Sequence, residues 1–327
     1  MRLNKKISWK KTRLPPLFGL QIKPQQFSIS LAQSLTNTIK TIFSISSLAL
    51  RALYFRIKNK KNIKIHFFYI LFFIFSIIIP AHAIDEKSLT KDAQNPLSNL
   101  TNLLFQNNFN FGFIYKNQLQ YNLNVELNVP IELKNEWRFI TRPIIPIIYQ
   151  VDIFKRKGHI SGMGDINPLF FLASPEQNKM MVGLGTSLYF PTATAFQLGY
   201  GKYSAGPGFV FVWLPESWVI SFSAANVWSY AGKRNRRTVK QLTSQAFINY
   251  NLEKGWFLTS APLITANWQV KPKERWTIPV GGGVGRICII GKHGLDLSLQ
   301  SYYNVVAPKT LGPNWSIRFV LNFLFPE

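Results

Sequence analysis

The chain has 327 residues, 47% of them hydrophobic and 15% aromatic, with 38 Lys+Arg against 14 Asp+Glu and a formal net charge of +24. The single cysteine, Cys288, excludes an internal disulfide and a thiolate metal cluster. Residues 1–83 hold fourteen of the basic side chains and no acid. The rest therefore carries an excess of only ten, which suits a surface meeting phosphate-bearing lipid better than one built for nucleic acid.

In chain order, residues 1–55 come first, basic and punctuated by Leu31, Leu35, Ile39 and Ile42 at helical spacing. They read as an over-extended gene start, as a basic amphipathic extension or, third, as an organelle transit peptide. Met1 is the only methionine before Met163, so a later start would need another codon. Residues 56–83 then combine a basic stretch, an apolar run from Phe67 to Ile79 and Ala81-His82-Ala83, the pattern of a cleavable signal peptide. As a helix the apolar run would measure roughly 20 Å, short of the ~30 Å hydrocarbon core of a bilayer. Cleavage is expected after Ala83, followed by a periplasmic segment over 84–103.

From 118 to 129 every second residue is apolar (Leu119, Tyr121, Leu123, Val125, Leu127, Val129) and every residue between is polar. Period two over this length predicts a strand with one apolar and one polar face. Further strands are predicted near 104–113, 137–149, 163–173, 180–190, 206–213, 217–229, 242–252, 256–269, 276–287, 295–305 and 315–325. Many reach the roughly 9–11 residues that a membrane-spanning strand needs, against about 5–6 in soluble proteins.

Connection lengths alternate. Short turns are expected at 133–136, 174–179, 214–217, 253–255 and 291–294, and longer loops at 155–162, 191–205, 230–241, 271–275 and 307–314. Bacterial outer-membrane barrels put short turns in the periplasm and long loops outside. The connection at 114–117 is short and breaks the trend. The expected fold is therefore all-β: a transmembrane antiparallel β-barrel of about 12 strands over 104–327, with both termini periplasmic.

Tryptophan supplies a ruler. Trp218 and Trp228 share a strand and a parity, as do Trp256 and Trp268, separations of roughly 33–40 Å along a strand. Tilted by about 40°, that is roughly 25–30 Å along the membrane normal, close to the ~25 Å apolar band of such barrels. Trp137, Trp218 and Trp256 are expected in a periplasmic aromatic girdle, and Trp228, Trp268, Trp276 and Trp315 in an outer one. Pro143 and Pro146 fit a central strand poorly, since proline donates nothing to the ladder. Pro146 is expected near the outer rim and Pro143 at a bulge.

Several segments carry a resemblance: NPLSNL (95–100), FQNNFNFG (105–112), GDINP (164–168), PTAT (191–194) and GKYSAGP (201–207). FINYNLEKGW (247–256), TSAPLITANW (259–268), WTIPVGGGVG (276–285), QSYYNVV (300–306) and LNFLFP (321–326) extend it over most of 95–327. The chain resembles the bacterial outer-membrane family labelled transporter or, by a misplaced name, neuromedin U. It is similar to proteins grouped with the outer-membrane component of meta-cleavage phenol degradation. The resemblance implies an outer-membrane barrel and uptake of small, aromatic compounds.

The candidate chemistry is sparse. Gly281, Gly282, Gly283 and Gly285 lack the Lys-Ser/Thr of a phosphate loop and read as a crowded barrel wall. His159 and Ser161 could begin a nucleophile–base pair, but a triad needs a third, orienting group, and His293 falls at the opposite end. Lys233, Arg234, Arg236, Arg237 and Lys240 form a basic outer-loop cluster suited to lipopolysaccharide phosphates or to solvent. On the polar face, Glu126, Arg138, Arg142, Asp165, Asn167 and Gln245 are candidate lumen residues. Asn249, Gln300, Asn304, Arg318 and Asn322 complete that set. Charged and amide side chains around a lumen select solutes by charge and hydrogen bonding.

The expected activity is a narrow passive channel for small solutes. Its alternatives are a non-conducting structural or surface-interaction barrel and, third, an outer-membrane lipid hydrolase. The expected partners are membrane lipid, lipopolysaccharide, a small solute and the barrel-assembly machinery during insertion. Neither a cofactor nor a metal is expected.

Overall fold

The computed structural model describes residues 86–112, 119–151, 158–308 and 312–326. The expected leader over 1–83 and the connection at 114–117 lie outside the described residues. A short helix, α1 (Glu86–Gln94), comes first. It stops where Asn95 precedes Pro96, because a proline ring disfavours helical backbone in the residue before it. The Asn95 carboxamide oxygen instead accepts the Leu97 N–H at 2.9 Å, turning the chain sharply.

Long strands follow: β1 (Thr101–Phe111), β2 (Leu119–Glu132), β3 (Arg138–Val151), β4 (His159–Met163), β5 (Asn167–Ala173), β6 (Met180–Tyr189) and β7 (Lys202–Trp213). Then come β8 (Trp218–Gly232), β9 (Lys240–Asn251), β10 (Trp256–Ser260), β11 (Leu263–Asn267), β12 (Trp276–Ile290), β13 (His293–Val306) and β14 (Trp315–Phe325). Neighbours pair antiparallel all the way round, and β1 pairs β14 from Thr101↔Phe325 to Phe111↔Trp315, which closes the barrel. Closure removes the sheet edges along this path, while β4 pairs β3 alone.

β4 and β5 both lie along β3, and β10 and β11 both lie between β9 and β12, so the strands form twelve staves. The expected count therefore holds, with staves four and nine each interrupted once. In stave four the register with β3 passes from Ile144↔Asn167 to Ile147↔Met163, leaving one extra residue at 164–166. This bulge faces Pro146, whose carbonyl accepts the Gly164 N–H at 2.8 Å. Pro146 sits inside β3 opposite Asn124, not at the rim as expected, and the β2–β3 ladder skips the residues opposite Pro143. Stave nine breaks at Ala261 and Pro262 without a register change.

Alternation orients the staves. In β2, Glu126 and Asn128 are buried while Leu127 between them is 40% exposed, so the apolar parity faces outward. Leu172, Leu184, Phe222, Leu258 and Val280 continue that exposed apolar belt around the barrel. The belt explains how the chain crosses a membrane with strands, while no helix among the described residues is long and apolar enough to do so. Near the short turns the inward parity is apolar too: Ile140, Phe171, Met181, Val210, Val212 and Val219 form one buried cluster there.

Candidate functional site

The inward face encloses two cavities stacked along the barrel. The outer one, of about 300 Å³, is lined by Asn124, Ile144, Asp165, Leu263 and Thr265 among others. The inner one, of about 170 Å³, runs down past Asn249, Asp296 and Asn322 to Ala93–Pro96. Gln106, Arg142, Leu169, Phe171, Ser223, Gln245 and Arg318 border both, and so form the waist between them.

The waist is electrically uneven. Arg142 donates from Nε and Nη2 to one oxygen of Glu126, at 2.9 and 2.6 Å. Arg318, only 7% exposed, donates from Nε to the Asn108 carboxamide oxygen at 3.0 Å and from Nη1 to the Ala261 carbonyl at 2.9 Å. Its guanidinium also lies over the Tyr302 ring, 5.0 Å from the centroid. The Ala261 carbonyl is available because Pro262 cannot continue the ladder. The same carbonyl accepts Gln245 Nε2, and the Ala261 N–H donates to the Tyr302 hydroxyl at 2.8 Å. That hydroxyl in turn donates to Gln300 Oε1 at 2.6 Å. A broken stave thus brings backbone groups into the lumen, where they hold the second arginine.

The barrel end at the short turns is filled by the chain's own N-terminal segment. Leu97 has no exposed surface and lies in the apolar cluster with Ile140, Met181 and Val212. Leu89 and Leu100 join Phe257, Ile287, Ile289 and Leu324 on another side. Burying three such side chains stabilises the arrangement by roughly 1.5–3 kcal/mol each. Gly183 makes room for Leu97: a β-carbon there would stand 3.0 Å from a Leu97 methyl. Polar contacts fix the orientation. Gln94 donates to Asn251 at 2.9 Å, Arg138 Nη1 to the Leu97 carbonyl at 3.2 Å and Asn128 to the Leu100 carbonyl at 3.3 Å. Residues 86–100, within the segment over 84–103 expected to be periplasmic, form a plug in the barrel mouth.

The outer end is crossed by the connection between β6 and β7. Gln150 on β3 donates to the Gln197 carbonyl at 3.3 Å, and the Tyr200 hydroxyl donates to Gln241 Oε1 on β9 at 2.7 Å, five staves away. Asp165 accepts the N–H groups of Ala193 and Tyr200. Arg236 donates to the carbonyls of Phe196, Gly199 and Tyr200, with its guanidinium 3.8 Å from the Phe196 ring centroid. Arg236→Ala should free this loop. Proteolysis within 194–200 is expected to quicken at least about tenfold, as befits loss of charge-assisted bonds worth ~1.5–3 kcal/mol; an unchanged rate would show that Asp165 and Gln150 suffice.

Nine of the eleven predicted lumen residues line one or both cavities: Glu126, Arg142, Asp165, Asn167, Gln245, Asn249, Gln300, Arg318 and Asn322. Arg138 lines neither and is occupied with the plug. Asn304 also lines neither, because its amide holds the Pro313 carbonyl at 2.6 Å at the outer rim. Asp165 borders the outer cavity but spends both oxygens on the loop. Within the basic loop cluster, Arg236 faces the neighbouring loop rather than lipid or solvent. Tyr302, Ala261, Asn108 and the plug were missed; only the Ala-Pro pair at 261–262 signalled any of them in sequence.

The predicted girdle tryptophans sit at stave ends. Trp218 and Trp256 open β8 and β10 at the turn side, with Trp137 just before β3, whereas Trp276 and Trp315 open β12 and β14 at the loop side. Trp228 and Trp268 lie on the loop side too, Trp268 packing edge-to-face on Trp276 with 5.5 Å between centroids. Arg286 and Arg275 stand over the rings of Trp256 and Trp268. His159 stacks on Tyr149 with both His159 and Ser161 exposed, and His293 packs on Phe325 beside the short turn between β12 and β13. No triad is assembled from these groups. Gly285 faces the lumen under Phe257, whose ring occupies the space a β-carbon would need.

These features define an outer-membrane β-barrel. A crystal structure of an outer membrane channel from Pseudomonas putida F1 superposes with a TM-score of 0.52 at 14% identity, over 69% of this chain and 94% of that one. The NanC porin gives 0.47 at 8% identity, over 69% and 100%. The CymD monoaromatic hydrocarbon channel gives 0.40 at 9% identity, over 76% and 95%. Neither a protein-family model nor any curated protein matches the sequence.

Proposed function

We propose that the barrel is a narrow passive channel for small solutes, closed at rest by the plug and narrowed outside by the loop at 190–201. The observation that carries this reading is the pair of stacked cavities meeting at Arg142 and Arg318. A sealed structural barrel has little use for some 470 Å³ of lumen walled by amides and two guanidiniums. Twelve strands also fall between the eight of side-chain-filled barrels and the sixteen of open aqueous pores. The mixed lining, Ile144, Leu169 and Phe171 beside Asn124, Asn167 and Gln245, suits solutes with an apolar body and a polar end. That agrees with the resemblance to the outer-membrane component of phenol degradation and with the channels among its structural neighbours.

Planar-bilayer recording on the purified protein tests the reading, with discrete conductance steps as the expected result. The docked plug favours a second reading, a barrel that never conducts. Absence of conductance both in the native protein and after the plug is unseated would establish that reading instead. The hydrolase reading has no such observation in its favour, since among the described residues no acid is bonded to the exposed His159 or Ser161.

A further inference from the structure

The two waist arginines differ in how their charge is met. Arg142 is paired with Glu126 through two bonds to one oxygen. Arg318 has no such hydrogen-bonded partner: its described acceptors are a carboxamide oxygen and a backbone carbonyl, both neutral, and Glu126, already bound to Arg142, acts on it only through space. A guanidinium that is 93% removed from solvent and meets only neutral acceptors holds a strong local preference for an anion. Nη2 of Arg318 and Nη1 of Arg142 have no protein acceptor among the described residues, and both side chains border the outer cavity. Two N–H-bearing groups thus border one cavity, a lining that suits the oxygens of a carboxylate.

Above them the wall changes character. Ile144, Leu169, Phe171, Ala225 and Leu263 give the outer cavity an apolar side. At about 300 Å³ it takes one compact ring or short branched chain and little more. Below the waist, the described lining of the inner cavity holds no further basic side chain, so a second negative charge on the solute would find no partner there. The two acids of the outer cavity are already engaged, Glu126 by Arg142 and Asp165 by two backbone N–H groups.

We propose that the outer cavity is a binding station for small apolar monocarboxylates, of the size and shape of benzoate, with the carboxylate on Arg318 and the ring against Phe171, Leu169 and Ile144. This names a solute class for the channel reading and rests on it. It also separates charged from neutral aromatics, which the apolar lining alone would not do. The anion is held by charge at the waist and by area above it. Loss of either should weaken binding, and loss of charge alone should abolish discrimination.

The test is calorimetric binding to the full-length protein purified in detergent, with benzoate, benzyl alcohol and benzylamine as probes. Benzoate should bind at least tenfold more tightly than either of the others. In Arg318→Gln that gap should shrink to within twofold, and Arg318→Lys should restore part of it. Should Arg318→Gln fail to show the heat-modifiable migration of a folded barrel, Ala225→Phe is the second variant. It leaves the charges in place, fills the apolar side and should weaken benzoate at least tenfold. Equal binding of benzoate and benzyl alcohol, no benzoate binding, a persistent gap in folded Arg318→Gln or full affinity in Ala225→Phe would each overturn the proposal. Conductance recorded in parallel separates the two readings. Binding without conduction removes the channel and leaves the site; conduction without binding does the reverse.

Discussion

Leu97→Asp should raise the mean conductance of the barrel severalfold and leave its fold intact. Leu97 is wholly buried between the inward faces of β3, β6, β7 and β8, yet it belongs to none of the staves. Removing such a side chain costs roughly 2–5 kcal/mol, and burying a carboxylate in its place costs more. Even ~2 kcal/mol shifts a docked-to-free ratio about thirtyfold. The twelve-stave ladder does not depend on the plug, so the cost falls on closure rather than on folding. Gly183→Leu tests the same idea from the other side, since a new side chain there would occupy the Leu97 seat. If both variants migrate as folded barrels and conduct no more than the native protein, the plug is not the closure.

Arg142→Glu should invert the ion preference of whatever current flows. The waist carries two guanidiniums and one carboxylate, a net positive charge. The substitution leaves one guanidinium and two carboxylates side by side. Two unit charges 4 Å apart interact by ~1 kcal/mol in water and ~4 kcal/mol at the effective dielectric near a protein surface. The anion-to-cation permeability ratio, read from the reversal potential in a salt gradient, should therefore fall at least about tenfold. High salt should mask part of the change, because screening shortens to a few ångströms near 1 M. A ratio that does not move would place the limiting constriction elsewhere, with the loop at 190–201 the next position to probe.

What could be read from the sequence followed from how each segment meets its surroundings. The alternation at 118–129 was legible because lipid faces one parity and the lumen the other, and the closed ladder with Leu127 outward and Glu126 inward bears it out. The staves were found for the same reason, with their ends displaced by a few residues where pairing runs past the alternating stretch, as at 202–205 in β7. Waist residues were legible as polar positions on an otherwise apolar strand, as Arg318 is between Ile317 and Phe319. The plug was not. Leu89, Leu97 and Leu100 share a helical spacing, but Pro96 ends the helix between them, so no continuous amphipathic element announces them. The inward residues that receive them are apolar, so Val210 and Val212 look like any doubly buried strand. Arg236 was equally hidden, since a basic residue in a basic loop shows nothing of the three carbonyls it meets.

The junction at Leu100 and Thr101 has a further consequence. The last plug residue is followed directly by the first residue of β1, the stave that seals the barrel against β14. There is no linker to let the plug drift away once it leaves its seat. A tether this short keeps the effective concentration of the plug at its own site in the millimolar range or above. Re-docking is then a local, first-order event that needs no encounter. Openings should be brief and repeated, a flicker rather than a commitment, and solute would cross in the intervals.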